Sequence, residues 1–244
     1  MRPHNRLRDR AGLAILVDPA ASSLDAAELL ATRAAEEGVG ALLVGGSYAA
    51  ESDTRAVALA LKRGAPNVPL LQFPACAAQL VPNVDAVLLL SLVSGRNAQY
   101  LIEEHVRAVS FFDDHPDIPA ISTAYCLVDG GTVTAVESVS QTRPLPAGNP
   151  ELVAAHVRAA MLIGMRAVYL DAGSGARVPV APALISAARA ATRGLLFVGG
   201  GVRSAETVHA ARAAGADYVV VGTHFERGGG PAGRVRELAI AARP

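Results

Sequence analysis

The sequence predicts a single-domain α/β protein, a (β/α)8 or TIM barrel, on three observations. Eight short, nearly uninterrupted aliphatic runs recur along the chain. Alanine-rich segments with helical spacing lie between most of them. Each run ends in a polar or glycine-bearing turn. Strands covered on both faces require runs of this kind. Eight of them alternating with helices close most simply into a barrel. An open doubly wound sheet is the alternative fold.

Taken in order, the runs are LAILV (13–17), ALLVG (41–45), VPLLQF (68–73) and AVLLLSLV (86–93), then AISTAYCLV (120–128), AVYL (167–170), LLFVG (195–199) and YVVVG (218–222). Helical spacing marks 24–38, 56–64, 98–109, 149–164 and 204–215. Several of these open on Ser, Asn or Asp and stop at Gly, as helix ends require. Residues 129–148 (DGGTVTAVESVSQTRPLPAG) fit least well and read as a β-excursion or an ordered loop. The chain shows no internal repeat and no linker, so residues 1–244 read as one domain.

Composition narrows the function classes. A chain of 244 residues that is 51% hydrophobic supports a sizeable core. The 22 basic and 22 acidic residues balance, which argues against a nucleic-acid partner. Two cysteines, Cys76 and Cys126, make no disulfide framework and fit a reduced, cytoplasmic setting. The basic start, MRPHNRLRDR, is followed by an apolar stretch too short for a signal peptide. No stretch reaches the roughly 18 apolar residues of a spanning helix. Transient contact with a membrane surface stays compatible with all of this.

In a barrel, reactive groups belong at the C-terminal ends of the strands, and a phosphate often sits after strands 7 and 8. The turns there are VGGGVRS (198–204) and VVVGTHF (219–225). Gly200, Gly201, Gly222 and Thr223 let the backbone approach an anion closely. Ordinary turn geometry is the plainer explanation for each, but two such turns side by side favour phosphate. Asp171 follows AVYL directly, with Tyr169 two residues earlier on the same strand face. A carboxylate there can take a proton from a substrate hydroxyl; a helix cap or a buried ion pair accounts for it equally well. Asp18, after LAILV, suits Mg2+, which needs few protein ligands, though Asp-Pro is also a common turn. Ser47 in VGGS reads as a second oxygen ligand or a turn residue. Arg96 and Asn97 suit a phosphate contact, or a helix cap in the case of Asn97; Arg143 has the same double reading. No HxxxH, CxxC, GxSxG, P-loop or GxGxxG pattern is present, which argues against a zinc site, a serine hydrolase, an NTPase and a dinucleotide enzyme.

Set in order, LVDP (16–19), VGGS (44–47), FP (73–74), SLVSGRN (91–97), YCLVDGG (125–131), TRPLP (142–146), YLDAGSGA (169–176), VGGGVRS (198–204) and AGADYVVVGT (214–223) resemble the geranylgeranylglyceryl phosphate synthases and their bacterial relatives. These are barrel prenyltransferases. Aspartate in YLDAGSGA, with VDGG and SGRN, looks like the second of the family's two sequence groups. The resemblance implies that the C3 hydroxyl of sn-glycerol 1-phosphate attacks C1 of a polyprenyl diphosphate, releasing pyrophosphate. It implies Asp171 as base, helped by Tyr169. It implies a glycerol phosphate site formed by Tyr169, Leu170, Asp171, Ala172, Gly173, Ser174, Gly175, Gly200, Gly201, Gly222 and Thr223. Arg96 and Asn97 would lie on the diphosphate side, and Asp18 and Ser47 would hold Mg2+. It also implies a homo-oligomer in the cytoplasm that meets its long-chain donor at a membrane.

Two places depart from the family. Ala20 and Ala21 follow LVDP where an acidic residue and a lysine are usual, and Ala75 replaces the glycine of an FPG turn. Both face the donor side. Two other readings therefore stand beside the prenyltransferase: another phosphate-binding barrel enzyme of isomerase type, and a barrel that binds a phosphate ligand with little turnover. A Schiff-base mechanism is disfavoured, since the only lysine, Lys62, falls on a helical segment.

Overall fold

A computed structural model of the chain describes residues 7–222 and 233–243. Its eight strands are β1 (Gly12–Val17), β2 (Ala41–Val44), β3 (Leu70–Gln72), β4 (Ala86–Leu92), β5 (Ala120–Leu127), β6 (Ala167–Asp171), β7 (Leu195–Gly199) and β8 (Tyr218–Val221). All pair in parallel and in sequence order, and β8 pairs with β1, with Gly12 opposite Tyr218. The predicted barrel is the observed fold. Each aliphatic run became a strand because its alternate residues are buried on opposite faces.

One set of side chains points into the barrel, including Leu43, Leu71, Leu88, Tyr125, Tyr169 and Phe197. The other set, including Ile15, Leu42, Leu70, Val168 and Leu196, packs under the helices. The interior carries an aromatic column. Tyr218 stacks on Phe197 at 5.0 Å, Phe197 on Tyr169 at 6.0 Å, and Tyr169 on Tyr125 at 5.6 Å, with Phe73 tilted against Tyr169 at 4.7 Å. Tyr218 Oη closes the lower end by donating to Leu7 O at 2.6 Å. Its polar tip is thereby satisfied inside the core.

The helices are α1 (Leu24–Glu36), α2 (Glu51–Gly64), α3 (Glu104–Arg107), α4 (Val109–Asp114), α5 (Ala135–Ser140), α6 (Pro150–Leu162), α7 (Pro182–Ala191), α8 (Ala205–Ala213) and α9 (Gly233–Ala241). Side-chain caps start four of them: Ser23 for α1, Thr134 for α5, Asn149 for α6 and Ser204 for α8. Among the described residues no helix is long and apolar enough to cross a membrane.

Two segments differ from expectation. The 129–148 stretch contains α5, not a β-excursion, and its β character is a single parallel bridge between Val128 and Leu145. Thr134 Oγ1 accepts from Glu137 N at 3.3 Å, and this cap wins over the β-branched valines, which then share one helix face. The 98–109 segment begins as a π-helical turn, Gln99–Glu103, before α3. Between β3 and β4 there is only a 3-10 turn, Ala77–Gln79, where other connections place a full helix.

Candidate active site

A cavity of about 620 Å³ opens at the C-terminal end of the barrel. Two polar walls face each other across it, because β1 and β2 lie opposite β5 and β6 in a closed eight-stranded ring. One wall carries Asp18, Gly46 and Ser47; the other carries Tyr169, Asp171, Ser174 and Gly175, continued by Gly200, Gly201 and Gly222. A largely apolar arm, lined by Leu80, Leu89, Leu92, Ala108, Val136 and Val139 with Glu104 and His105 among them, lies by the 3-10 turn, α3 and α5.

Asp171 ends β6 with its side chain inside the barrel and 8% exposed. Tyr125 Oη donates to Asp171 Oδ2, and Gly173 N donates to Oδ1 at 2.8 Å. Burial pushes the carboxyl above its ordinary range, while the Tyr125 and Gly173 hydrogen bonds pull it partly back. Burial, reinforced by the nearby carboxylate, holds the Tyr125 and Tyr169 phenols well above theirs, so both stay protonated and able to donate. Gly200 completes this wall. Its φ is +83°, and a Cβ there would lie 2.7 Å from Asp171 Oδ1, so only glycine fits beside the carboxylate.

On the facing wall Asp18 Oδ1 accepts from Ala20 N at 2.9 Å. A Cβ at Gly46 would lie 2.4 Å from that same oxygen. The β2 loop therefore presses its bare backbone against the carboxylate, with Ser47 next in the chain. Among the described residues no cluster of three or more His, Cys, Asp or Glu is placed to hold a metal ion. Any cation here would rest on Asp18 and on oxygens from elsewhere.

The expected residues separate into groups. Asp18, Ser47, Tyr169, Asp171, Ser174, Gly175, Gly200, Gly201 and Gly222 all line the one cavity. Leu170 and Ala172 alternate outward into the core beneath the helices, so only their backbone approaches the site. The Gly173 N–H is already given to Asp171. Arg96 and Asn97 do not reach the cavity. Arg96 is exposed and donates to Gly95 O at 2.7 Å; Asn97 Oδ1 accepts from Gln99 N at 3.1 Å, its capping alternative. Thr223 lies outside the described residues.

Three residues were not singled out from sequence. Tyr125, not Tyr169, is the partner of Asp171; its signal was a tyrosine two places before the end of an aliphatic strand, as Tyr169 is. Arg203 lines the cavity while binding Ala176 O at 2.8 Å, tying the β7 loop to the β6 loop. Gln79 is buried behind the β1–β2 wall.

With this geometry in hand, comparison with known proteins is specific. The model of the PcrB family matches residues 5–239. The chain belongs to the PcrB family. This bears out the resemblance read from the motifs. A geranylgeranylglyceryl phosphate synthase of Spirosoma linguale is 39% identical over 222 residues, 91% of this chain and 88% of that one. One from Korarchaeum cryptofilum is 36% identical over 238 residues, 98% and 97% of the two chains. Among solved structures, the PcrB-family chain is similar to (S)-3-O-geranylgeranylglyceryl phosphate synthase of Thermoplasma acidophilum in complex with its substrate sn-glycerol-1-phosphate. That structure has a TM-score of 0.89 and 25% identity, over 98% of this chain and 96% of that chain.

Proposed function

We propose that this protein is a prenyltransferase that joins the C3 hydroxyl of sn-glycerol 1-phosphate to C1 of a polyprenyl diphosphate, forming an ether and releasing pyrophosphate. The observation that carries the reading is the buried Asp171 carboxylate, held by Tyr125 and Gly173 beside a glycine-lined wall, within one cavity with an apolar arm. Membership of the PcrB family and the names and ligand of its relatives point the same way.

The chemistry follows from the walls. Glycerol phosphate lies against the β6–β8 wall, its phosphate on the backbone of Ser174, Gly175, Gly200, Gly201 and Gly222. That anchoring brings the C3 hydroxyl to Asp171. Burial raises the carboxyl above its ordinary value, which makes it a stronger base, while the Tyr125 hydrogen bond pulls it partly back and fixes its orientation. As the hydroxyl oxygen bonds to C1, its proton passes to Asp171 and the C1–O bond to diphosphate breaks. The prenyl chain occupies the arm, whose lining is apolar apart from a few polar side chains such as Glu104 and His105.

A Mg2+ ion suits the opposite wall. Asp18 offers one carboxylate and Ser47 a hydroxyl, with space kept by Gly46; a cation that retains waters and phosphate oxygens needs no more from the protein. When bound, it would stabilise negative charge on the departing diphosphate. Supply of a long prenyl donor brings the protein to a membrane surface from the cytoplasm, and a homo-oligomer accords with the sequence resemblance.

Isotope-labelled sn-glycerol 1-phosphate, Mg2+ and prenyl diphosphates of graded length test the reading, with Asp171→Ala alongside. Ether formation that peaks at one chain length and collapses in the variant is expected. Absence of ether with every donor, despite glycerol phosphate binding, would replace the prenyltransferase with the phosphate-binding barrel of little turnover.

A further inference from the structure

The connection from β3 to β4 has no helix to satisfy its backbone, and side chains do so instead. Gln72 Oε1 accepts from Val81 N at 3.1 Å, and Gln72 Nε2 donates to Gln79 O at 2.6 Å. Glu104 Oε2, from α3, accepts from Ala77 N at 2.8 Å. Gln79 goes further, because its side chain joins two loops. Its Oε1 accepts from Ala75 N at 2.7 Å, and its Nε2 donates to Gly46 O and to Ala49 O, each at 3.0 Å. The residue is 5% exposed, and both of its amide hydrogens are used.

Those two carbonyls bracket Ser47. A trans peptide directs its N–H opposite to its C=O. Holding Gly46 O on Gln79 therefore turns the Ser47 N–H away from Gln79, and that N–H has no hydrogen-bond partner among the described residues. The same peptide belongs to the glycine whose Cα presses on the Asp18 carboxylate. One side chain that does not itself line the cavity thus sets the backbone on which Asp18 and Ser47 are arranged.

We propose that Gln79 is a positioning residue for the leaving-group end of the site: it orients the Gly46–Ser47 peptide against Asp18 so that this wall binds a Mg2+-diphosphate. This rests on the prenyltransferase reading for the identity of the ligand. It does not concern the β6–β8 wall, to which Gln79 makes no hydrogen bond.

The test uses the full chain, with inorganic pyrophosphate plus Mg2+ and sn-glycerol 1-phosphate as separate calorimetric probes. Gln79→Met removes all three side-chain hydrogen bonds. Gln79→Glu keeps the acceptor for Ala75 N and removes both donations. In each folded variant, affinity for Mg2+-pyrophosphate should fall about tenfold or more, as expected for two lost hydrogen bonds, while glycerol phosphate affinity stays within about twofold. The KM for the prenyl donor should rise with it. Unchanged pyrophosphate affinity in either folded variant overturns the proposal. So does equal loss of both ligands, or unfolding of both variants, since each assigns Gln79 to stability alone. Failure of the wild type to bind Mg2+-pyrophosphate at all would instead refute the functional reading on which the proposal stands.

Discussion

The two walls of the cavity reach comparable order by different means. On the β6–β8 side, backbone does most of the work: Gly173 N holds Asp171 and Gly200 sits where no Cβ fits, with Tyr125 and Arg203 as side-chain ties. On the β1–β3 side, a helix-free loop is suspended from Gln72, Gln79 and Glu104, three side chains drawn from separate places in the chain. The first arrangement leaves a mark in a short sequence motif. The second leaves almost none.

If the walls divide the labour as proposed, each can be damaged without the other. The largest effect is expected from Asp171→Asn, which should reduce turnover about 10²- to 10⁴-fold, the usual worth of a positioned base, while leaving Mg2+-pyrophosphate binding intact. The same variant should be more stable than the wild type at neutral pH. The folded-state pKa of Asp171 is raised, so the folded protein holds that proton more tightly than the unfolded chain. The resulting contribution is present in acid and lost as pH rises through the folded value. Scanning calorimetry should find the gap between variant and wild type closing as pH falls below the ordinary carboxylate range. A lower Tm for the variant at neutral pH would contradict the assigned cause of the shift.

Asp18→Asn should do the reverse at the other wall. About a 10²-fold rise in the Mg2+ concentration needed for half-maximal activity is expected from the loss of the one carboxylate, with glycerol phosphate affinity unchanged by calorimetry. Gly200→Ala comes next. A Cβ at φ +83°, 2.7 Å from Asp171 Oδ1, should weaken glycerol phosphate binding about tenfold and lower stability by about 1–3 kcal/mol; a silent substitution would mean that the loop yields freely. Tyr125→Phe is the mildest change in rate and the most informative about mechanism. It removes a hydrogen bond that lowers the pKa of Asp171, so that pKa should rise further and the acid limb of the kcat–pH profile should move to higher pH. An acid limb that stays in place would detach Tyr125 from the base.

What the sequence disclosed follows the same division. Eight strands were legible because burial on both faces forces continuous aliphatic runs, and the observed strands fall within a residue or two of them. Asp171, Gly200 and Gly222 were legible because a barrel places strand ends at its mouth; Ser174 came only from the family resemblance. Tyr125 was not, since its meaning depends on the β5–β6 register that sets Tyr125 opposite Tyr169 and Leu127 opposite Asp171. Arg96 and Asn97 looked functional because they follow a strand end, but the chain turns there into the π-helical segment and carries them outside the cavity. Helix α5 was hidden because Val133, Val136 and Val139 favour strand locally; its Thr134 cap decides the matter only once the turn at Gly130 and Gly131 is made. Gln79 reads as an unremarkable polar residue among alanines until its three partners are placed.

The aromatic column gives the protein an internal optical gauge. It has five tyrosines and no tryptophan, and Tyr125, Tyr169 and, through Phe197, Tyr218 lie stacked across the adjacent strands β5 to β8. Burial pushes all three phenols above their ordinary range. In a spectrophotometric titration, their phenolate absorbance will emerge only as the ring of strands opens. Barrel closure can therefore be followed in the unlabelled protein, without a substrate and without a reporter group.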